Sequence, residues 1–217
     1  AAVFVGAQGG LIVPSGSNPS DIADIAKKLP KGIRLQACLG DRSLVDVVLQ
    51  YLGGIPRLSR YQRLFTVSAD DLGPFTNPML RLATKADLPQ LIPMAAACVK
   101  EMHRRDPLAE DADGFTLRVS RRVETQRTYV LEEAGRLIFK LDVGPRSQFG
   151  AELEMFYTLP SERFKGHATL CLGQISRFLL SSLPRLGLRI DELNPGFADI
   201  ARKVGYVAGR PQRFVLA

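Results

Sequence analysis

Short apolar runs alternate along the whole chain with stretches whose apolar residues recur at helical spacing. The run IRLQACLG at 33–40 is typical of a buried strand, whereas SNPSDIADIAKKLP at 17–30 places Ile22, Ile25 and Leu29 on one face of a helix. Alternation of these two periods is the pattern of folds that combine a sheet with helices. The sequence therefore predicts an α/β (α+β) fold.

The alternation divides into two blocks. The first block reads as strand, strand, helix, strand, helix and strand; the second reads as strand, two helices, three strands, helix, strand, helix and strand. Between them, DDLGPFTNPM at 70–79 combines acids, glycine and two prolines, which oppose regular structure. We therefore expect two domains, 1–75 and 76–217. In the second domain, Pro93 is expected to bend or interrupt the first helix.

The composition is that of an ordinary globular protein, with 46% hydrophobic residues, 24% charged residues and a net charge of +7. No apolar run approaches the roughly 20 residues that span a bilayer, and the start lacks the pattern of a signal peptide, so we expect a cytoplasmic protein without a membrane partner. The positive charge suggests an anionic ligand. Zinc-finger spacing and an RNP-like aromatic motif are both missing from the sequence, so nucleic acid is not the expected partner.

The cysteines and histidines argue against a metal site. Cys38, Cys98 and Cys171 lie far apart in apolar patterns, which favours buried reduced thiols over disulfides or zinc ligands. The sequence contains only two histidines. We therefore expect no metal.

One segment places a flexible, basic turn at the start of a helix. RFKGHA, from Arg163 to Ala168, follows a strand that ends at Pro160 and precedes a stretch of apolar residues at helical spacing. The unpaired N–H groups at such a helix start attract anions, and glycine lets a ligand approach the backbone closely. Arg163 and Lys165 add positive charge. The alternative is a tight turn whose basic residues merely face water.

At this point the sequence resembles the GCN5-related N-acetyltransferase (GNAT) superfamily. Arg163-x-x-Gly166-x-Ala168 matches the family's Arg/Gln-x-x-Gly-x-Gly/Ala cofactor motif, and it likewise follows a strand and a proline. The order of elements in the second block is also similar to that of the family. The resemblance implies a GNAT fold, with a mixed, mostly antiparallel sheet, helices on both faces and a splayed central strand pair.

A second match to the family lies downstream in NPGFADIARKVGY. Asn194, Gly205 and Tyr206 correspond there to the family's Asn after the next strand and to its Gly followed by an aromatic residue. The resemblance implies that Asn194 stands at the far side of the cofactor slot. Asn194 before a proline also suits a helix N-cap, and both roles are compatible.

The resemblance implies that the cofactor is acetyl-CoA. In the family, the backbone of the basic turn holds the pyrophosphate, which implies cofactor-binding roles for Arg163, Phe164, Lys165, Gly166, His167 and Ala168. The preceding strand adds backbone hydrogen bonds to pantetheine, here expected at Phe156, Tyr157 and Thr158.

The implied reaction is attack of a neutral amine on the thioester carbonyl. A lysine-like amine of pKa about 10.4 must lose a proton at a cost of roughly 4 kcal/mol at pH 7.4, so a carboxylate base is most needed for such an acceptor. Glu152 and Glu154 have the same parity on their strand and are the candidate bases. Glu152 matches the spacing of the catalytic Glu in some histone-acetylating relatives. The alternative is that both are solvated residues on an alternating strand.

The sequence departs from the family at the general acid. Many members carry a Tyr that protonates the departing thiolate, and the matching position here is Ala201. Tyr206 is a weak substitute because an aromatic residue after the Gly is expected to pack, and Tyr157 is a candidate for the core. Two functions therefore stay open, an acetyl-CoA-dependent N-acyltransferase and a non-catalytic CoA-binding or regulatory module.

The first block lacks the cofactor motif but resembles the later half of a GNAT domain in its order of elements. RYQRLFTV also resembles a stretch in N-terminal domains fused to bacterial GNAT domains, so residues 1–75 are interpreted as a degenerate partner domain. The implied acceptor is a small-molecule or peptide amine whose identity the sequence does not determine. A monomer and a homodimer are both compatible with the sequence.

Overall fold

The computed structural model describes residues 1–6, 10–30, 33, 35–53 and 56–217. Within these ranges the chain forms ten β-strands, six α-helices and two short 3₁₀ turns. The strands are β1 (Ala2–Val5), β2 (Leu11–Ser15), β3 (Ala37–Asp41), β4 (Leu58–Val67), β5 (Arg81–Leu82), β6 (Thr128–Glu133), β7 (Arg136–Ser147), β8 (Gly150–Thr158), β9 (Leu186–Asp191) and β10 (Val207–Leu216). The helices are α1 (Pro19–Ala26), α2 (Arg42–Leu52), α3 (Leu88–His103), α4 (Pro107–Glu124), α5 (His167–Leu180) and α6 (Pro195–Val204).

This order of elements confirms the predicted α/β class and both blocks of the alternation. The expectation for Pro93 was wrong insofar as it allowed an interruption, because α3 runs continuously from Leu88 to His103. The three cysteines are free and buried, as predicted. In the part of the chain that the structure describes, no helix has the length and apolar character needed to cross a membrane.

The chain packs as two compact units. Unit 1 contains residues 1–64, 189–195 and 208–217, and unit 2 contains residues 65–188 and 196–207. The C-terminal segment belongs to unit 1 because β10 pairs antiparallel with β3, from Gln212 opposite Asp41 to Leu216 opposite Ala37. Packing alone does not decide which segments fold independently, so the two predicted domains and the half-GNAT interpretation of residues 1–75 stay predictions.

Unit 1 has the strand order β1-β2-β3-β10-β4. The pair β2 and β3 is parallel, with Leu11 opposite Ala37 and Ile12 opposite Cys38, and α1 lies between these two strands in the sequence. Buried apolar residues of the strands and of α1 and α2 form one core. They are Ile12, Ile22, Cys38, Leu44, Val45, Val48 and Val215.

Unit 2 has the strand order β9-β8-β7-β6-β5, antiparallel except for the parallel pair of β8 and β9. Ala151–Leu153 of β8 lie opposite Leu186–Leu188 of β9, and α5 lies between these strands in the sequence. Helix α3 packs on β7, β8 and α4, and apolar residues of these elements form the core. The arrangement positions the end of β8 and the start of α5, which carry most of the predicted site residues.

The segment predicted to separate two domains is irregular but closely packed on unit 2. The N–H of Gly73 donates to the carbonyl of Val204 at 2.9 Å, and the guanidinium of Arg177 donates to the carbonyl of Gly73 at 2.9 Å. A Cβ at Gly173 of α5 would overlap the backbone of Phe75, so glycine permits this close approach. The acids, glycine and prolines of the segment thus prevent regular structure without making it a loose linker.

Candidate functional site

The basic turn joins β8 to α5 through an unusual backbone. A 3₁₀ turn covers Pro160–Glu162, Phe164 has a φ of +64°, and Gly166 has a φ of +88°. Helix α5 begins at His167, and none of the side chains that the structure describes caps its first N–H groups. The helix start predicted from the sequence is therefore present, with its backbone donors not satisfied by a capping side chain.

Gly166 is required by the backbone rather than by packing. A Cβ there would meet no atom of the described residues within 4 Å, but the left-handed conformation is one that side chains rarely adopt. The space above the turn is thus open on the side where a Cβ would point. An uncapped helix start beside open space can hold an anionic group.

The two predicted basic residues are held by protein contacts. The Arg163 guanidinium donates to both oxygens of Glu101 at 2.7 and 2.9 Å, and its Nε donates to the carbonyl of Thr158 at 3.0 Å. It also lies 5.4 Å from the centre of the Tyr157 ring. Lys165 Nζ donates to Glu162 at 2.7 Å. Arg163 therefore braces the turn against α3 and the end of β8, while Lys165 stays half-exposed beside Gly166.

The other residues of the turn differ in exposure. Phe164 is fully exposed, Ala168 is partly buried, and the His167 side chain is only 13% exposed. Among the described residues, the buried Nε2 of His167 has no hydrogen-bond partner, and its Nδ1 lies 3.7 Å from Glu133. Three side chains lie close enough together to bind one metal ion: His167, Glu133 and Glu162. Glu162, however, already accepts hydrogen bonds from Lys165 and Arg136. These cations oppose a further positive charge.

Strand β8 carries a bulge that sequence periodicity did not predict. Tyr157 lies opposite Lys140 and Glu154 lies opposite Asp142, so two residues of β8 face one residue of β7. Met155, inside the bulge, has a φ of +55°. The other bulge residue is Phe156, whose carbonyl accepts a hydrogen bond from the Cys98 thiol at 3.7 Å. The bulge shifts the alternation of side chains by one residue, so residues on its two sides no longer share one parity.

Glu152 and Glu154 both precede the bulge and are partly buried, and the buried Leu153 lies between them, which agrees with a shared face. Glu154 accepts a hydrogen bond from Arg122 of α4 at 2.8 Å. Its carboxyl group also lies over Gly144, where a Cβ would approach within 2.8 Å. Glu152 lies opposite Gly187 in the parallel register with β9. The structure thus surrounds Glu154 with polar and charged groups that the sequence did not connect to it.

The tyrosines named as general-acid candidates lie in the core. Tyr206 is 2% exposed, its hydroxyl shares a 2.7 Å hydrogen bond with Ser176, and burial raises its pKa above the ordinary value. Tyr157 is also buried, and burial raises its pKa as well. Tyr206 is therefore a poor proton donor for a departing thiolate because its hydroxyl has no access to solvent. Ala201, at the family's Tyr position, is fully buried.

Asn194 belongs to unit 1. Its N–H donates to the carbonyl of Asp191 at 2.9 Å, and it directly precedes α6, which begins at Pro195. Within unit 2, the contact between Arg163 and Thr158 brings together the expected pyrophosphate residues and the expected pantetheine residues at the end of β8.

Sequence reasoning did not identify the polar residues around the bulge. Asp142 and Lys140 are 4% and 2% exposed, and Arg122 and Glu101 reach β8 and the turn from the helices. One signal was available: LIFKLDVG carries two charged residues, two positions apart, inside an otherwise apolar strand. Buried charges in such a run require partners, which marks them as members of a polar network.

The fold is similar to that of solved GNAT structures. No protein-family model and no curated protein matches the sequence. A GNAT-family acetyltransferase from Colwellia psychrerythraea, 12% identical, superposes with a TM-score of 0.66 over 99% of this chain and 80% of its own. A Drosophila protein, 15% identical, superposes with a TM-score of 0.69 over 95% of this chain and 70% of its own. A GCN5-related N-acetyltransferase from Kribbella flavida, also 15% identical, superposes with a TM-score of 0.59 over 95% of this chain and 80% of its own. At these identities the likeness shows the fold: the chain has the GNAT fold.

Proposed function

We propose that the protein is an acetyl-CoA-dependent N-acyltransferase of the GNAT type that acetylates a primary amine of a small molecule or peptide. One observation carries the proposal. The GNAT fold is combined with an uncapped start of α5, preceded by Gly166 in the left-handed conformation and open space. An anionic ligand is the partner that such a helix start accepts.

The residues of the turn fit the pyrophosphate of CoA. The first-turn N–H groups of α5 and the left-handed Gly166 supply a cradle that a side chain at this position would distort, and Lys165 lies beside it. Arg163 acts on the shape of the turn, because its guanidinium is bound to Glu101 and Thr158. When bound, acetyl-CoA supplies a thioester carbonyl that an amine converts into an amide.

The amine must be neutral to react, so a base is needed for an acceptor that is charged at neutral pH. Glu154 and Glu152 are the available carboxylates on β8, and both are partly exposed. The Tyr206 hydroxyl is buried and bonded to Ser176, and Tyr157 is a core residue, so in this proposal water supplies the proton for the departing sulfur. In this proposal the chain contributes binding, orientation and a base rather than a tyrosine acid.

Thermal melting of the full chain with acetyl-CoA tests the cofactor. A ligand at 100 times its Kd stabilises the folded protein by about 2.7 kcal/mol, which corresponds to a rise in Tm of about 5 to 10 °C for a chain of this size. Gly166→Asp should remove the rise, because the acid strains the left-handed turn and repels the pyrophosphate. Gly53→Asp is the matched control: Gly53 has a φ of +69° and equally open surroundings at the end of α2. An unshifted Tm for the unsubstituted protein would refute the cofactor assignment.

The second candidate is a CoA-binding module without turnover, favoured by the buried Ala201 and Tyr206. This module would show the same rise in Tm with acetyl-CoA. Release of free CoA in the presence of any member of a panel of primary amines would exclude it. Retention of acetyl-CoA with every amine would favour it over the enzyme.

A further inference from the structure

Two carboxylates face each other beside the bulge in β8. Asp142 of β7 lies directly opposite Glu154 of β8 in the antiparallel register. Like charges directly opposite each other destabilise a sheet, and two carboxylates that share a site oppose each other's ionisation. Asp142 is only 4% exposed, so water screens this repulsion poorly. The arrangement therefore needs compensating positive charge.

Arg122 of α4 bridges the two carboxylates. One of its terminal nitrogens lies 2.8 Å from Glu154 and 3.3 Å from Asp142. Although burial alone lowers the pKa of this guanidinium, the two carboxylates outweigh that effect and raise it. A single guanidinium thus connects the partly exposed carboxylate to the buried one.

Asp142 is itself held from two further directions. Lys140 Nζ donates to it at 2.9 Å, and the Thr128 hydroxyl of β6 donates to its other oxygen at 2.8 Å. Lys140 and Thr128 are each 2% exposed. Next to them lies a cavity of about 10 Å³, lined by Arg122, Asp142 and their neighbours, which is close to the space of one water molecule. The network consists of two anions, two cations and one hydroxyl, and its charges balance.

Such a network is a costly way to stabilise a core. Replacing buried ion pairs by apolar residues of similar volume is often neutral or stabilising, so stability does not account for it. The location of the network is informative, because the network ends at the carboxylate of Glu154, the residue that directly precedes the bulge. Gly144 supports this position: a Cβ there would lie 2.8 to 2.9 Å from the carboxyl group of Glu154. Arg122 and Gly144 together determine where that group lies.

We propose that Arg122 is a positioning residue which, together with Asp142 and Lys140, holds the Glu154 carboxylate beside the bulge, where it accepts the proton of the acceptor amine. This rests on the proposed acyltransferase function and makes Glu154, rather than Glu152, the base for the acceptor amine. Glu154 takes up the proton that the ammonium form of the acceptor loses, and it then returns that proton to water.

The titration of Glu154 in the intact protein tests the network without requiring catalysis. Carbon-13 NMR of glutamate carboxyls follows each group, and Glu154→Gln identifies the signal by its loss. Arg122→Gln should raise the midpoint of the Glu154 titration, because it removes the opposite charge and leaves Asp142 in place. Arg122→Lys should restore most of the original midpoint. Arg118→Gln is the matched control on α4, since Arg118 pairs with Asp111.

Gly144→Ala tests position separately from charge. The backbone at Gly144 does not require glycine, and the added methyl group should displace the flexible end of Glu154 from Arg122. The midpoint should then move toward that of Arg122→Gln. The proposal would be overturned if the titration midpoint of Glu154 were the same in the unsubstituted protein, in Gly144→Ala and in Arg122→Gln. If Arg122→Gln fails to fold, Arg122→Lys and Gly144→Ala decide the outcome.

Kinetics distinguish the two glutamates. With an amine that releases CoA, Glu154→Gln should lower kcat/KM by about 10²- to 10⁴-fold, the usual contribution of a general base, and Glu152→Gln by much less. A larger loss for Glu152→Gln would assign the base to Glu152 and overturn the proposal. The rise in Tm with acetyl-CoA should be the same in both variants. If acetyl-CoA does not raise the Tm but Arg122→Gln still shifts the titration midpoint of Glu154, the proposed function fails while the network stands. If acetyl-CoA raises the Tm but Arg122→Gln leaves that midpoint unchanged, only the network is refuted.

Discussion

The two units each contain a helix that joins a parallel pair of strands, but the two helices begin differently. In unit 1, α1 joins β2 to β3, and the side chain of Asn18 accepts a hydrogen bond from the N–H of Ser20 at 3.1 Å. In unit 2, α5 joins β8 to β9, and Gly166 precedes it without a side-chain cap. The same strand-helix-strand connection thus has a self-capped start in one unit and an open start in the other.

The strand-helix-strand connection alone therefore does not create an anion site. A helix start that satisfies its own N–H groups has fewer donors for a ligand, whereas an uncapped start keeps them available. The proposed cofactor function of unit 2 therefore depends on cap chemistry within about four residues. Substitutions at and beside the helix starts test this difference.

The largest effect is expected at the 3₁₀ turn Lys85–Asp87, which directly precedes α3 and whose capping box contains a buried carboxylate. Asp87, next to α3, accepts hydrogen bonds from the N–H and hydroxyl of Thr84 and from both terminal nitrogens of Arg81. Mainly because of the hydrogen bonds from Arg81, and despite burial, the pKa of Asp87 is lowered to about 2. Asp87→Asn should lower the free energy of unfolding at pH 7 by about 2 to 3 kcal/mol, measured by urea denaturation.

The sign of the pH dependence follows from the lowered pKa. The folded state binds this proton less readily than the unfolded state, so the contribution of Asp87 is fully present above about pH 4 and is lost as the pH falls toward 2. The difference between Asp87→Asn and the unsubstituted protein should therefore shrink over this interval. Asp199→Asn, in an exposed pair with Arg202, is the control and should change little. A difference that is independent of pH would contradict this account of the turn before α3.

A smaller effect is expected at the self-capped start of α1. Asn18→Ala removes the side-chain acceptor for Ser20 and should lower the free energy of unfolding by about 1 kcal/mol. The stabilisation by acetyl-CoA should stay unchanged, because α1 is not the proposed site. Chemical denaturation with and without acetyl-CoA measures both quantities. Loss of acetyl-CoA stabilisation in Asn18→Ala would break the distinction between the two helix starts.

The smallest effect is expected from a single charge beside the open start of α5. Lys165→Gln removes a half-exposed cation that pairs with Glu162, and it should weaken acetyl-CoA binding about two- to fivefold. The salt dependence of Kd, measured by calorimetry, should decrease at the same time. Lys27→Gln is the control, since Lys27 forms a similar exposed pair three residues from Asp24. An equal loss in both variants would show that net charge, rather than the α5 start, attracts the ligand.

Much of the fold could be predicted because its signals are local. The apolar spacing from Ala168 to Leu179 predicted α5, and the order of strands and helices predicted both blocks. The uncapped start followed from Gly166 and its neighbours, all within a few residues. The pairing of β10 with β3 was not predicted, since nothing near Val207–Leu216 specifies a partner more than 160 residues away in the sequence.

The alternation of elements and the chemistry of the helix starts can be inferred from the amino-acid sequence, because both depend on neighbours within one or two turns. The contacts between charged residues depend instead on the tertiary structure. The parity of Glu152 and Glu154 predicted a shared face, but the bulge at Met155 and the antiparallel register placed Asp142 opposite Glu154. Arg122 then approaches both from α4. Register and helix packing result from many distant contacts at once, so no local pattern contains them.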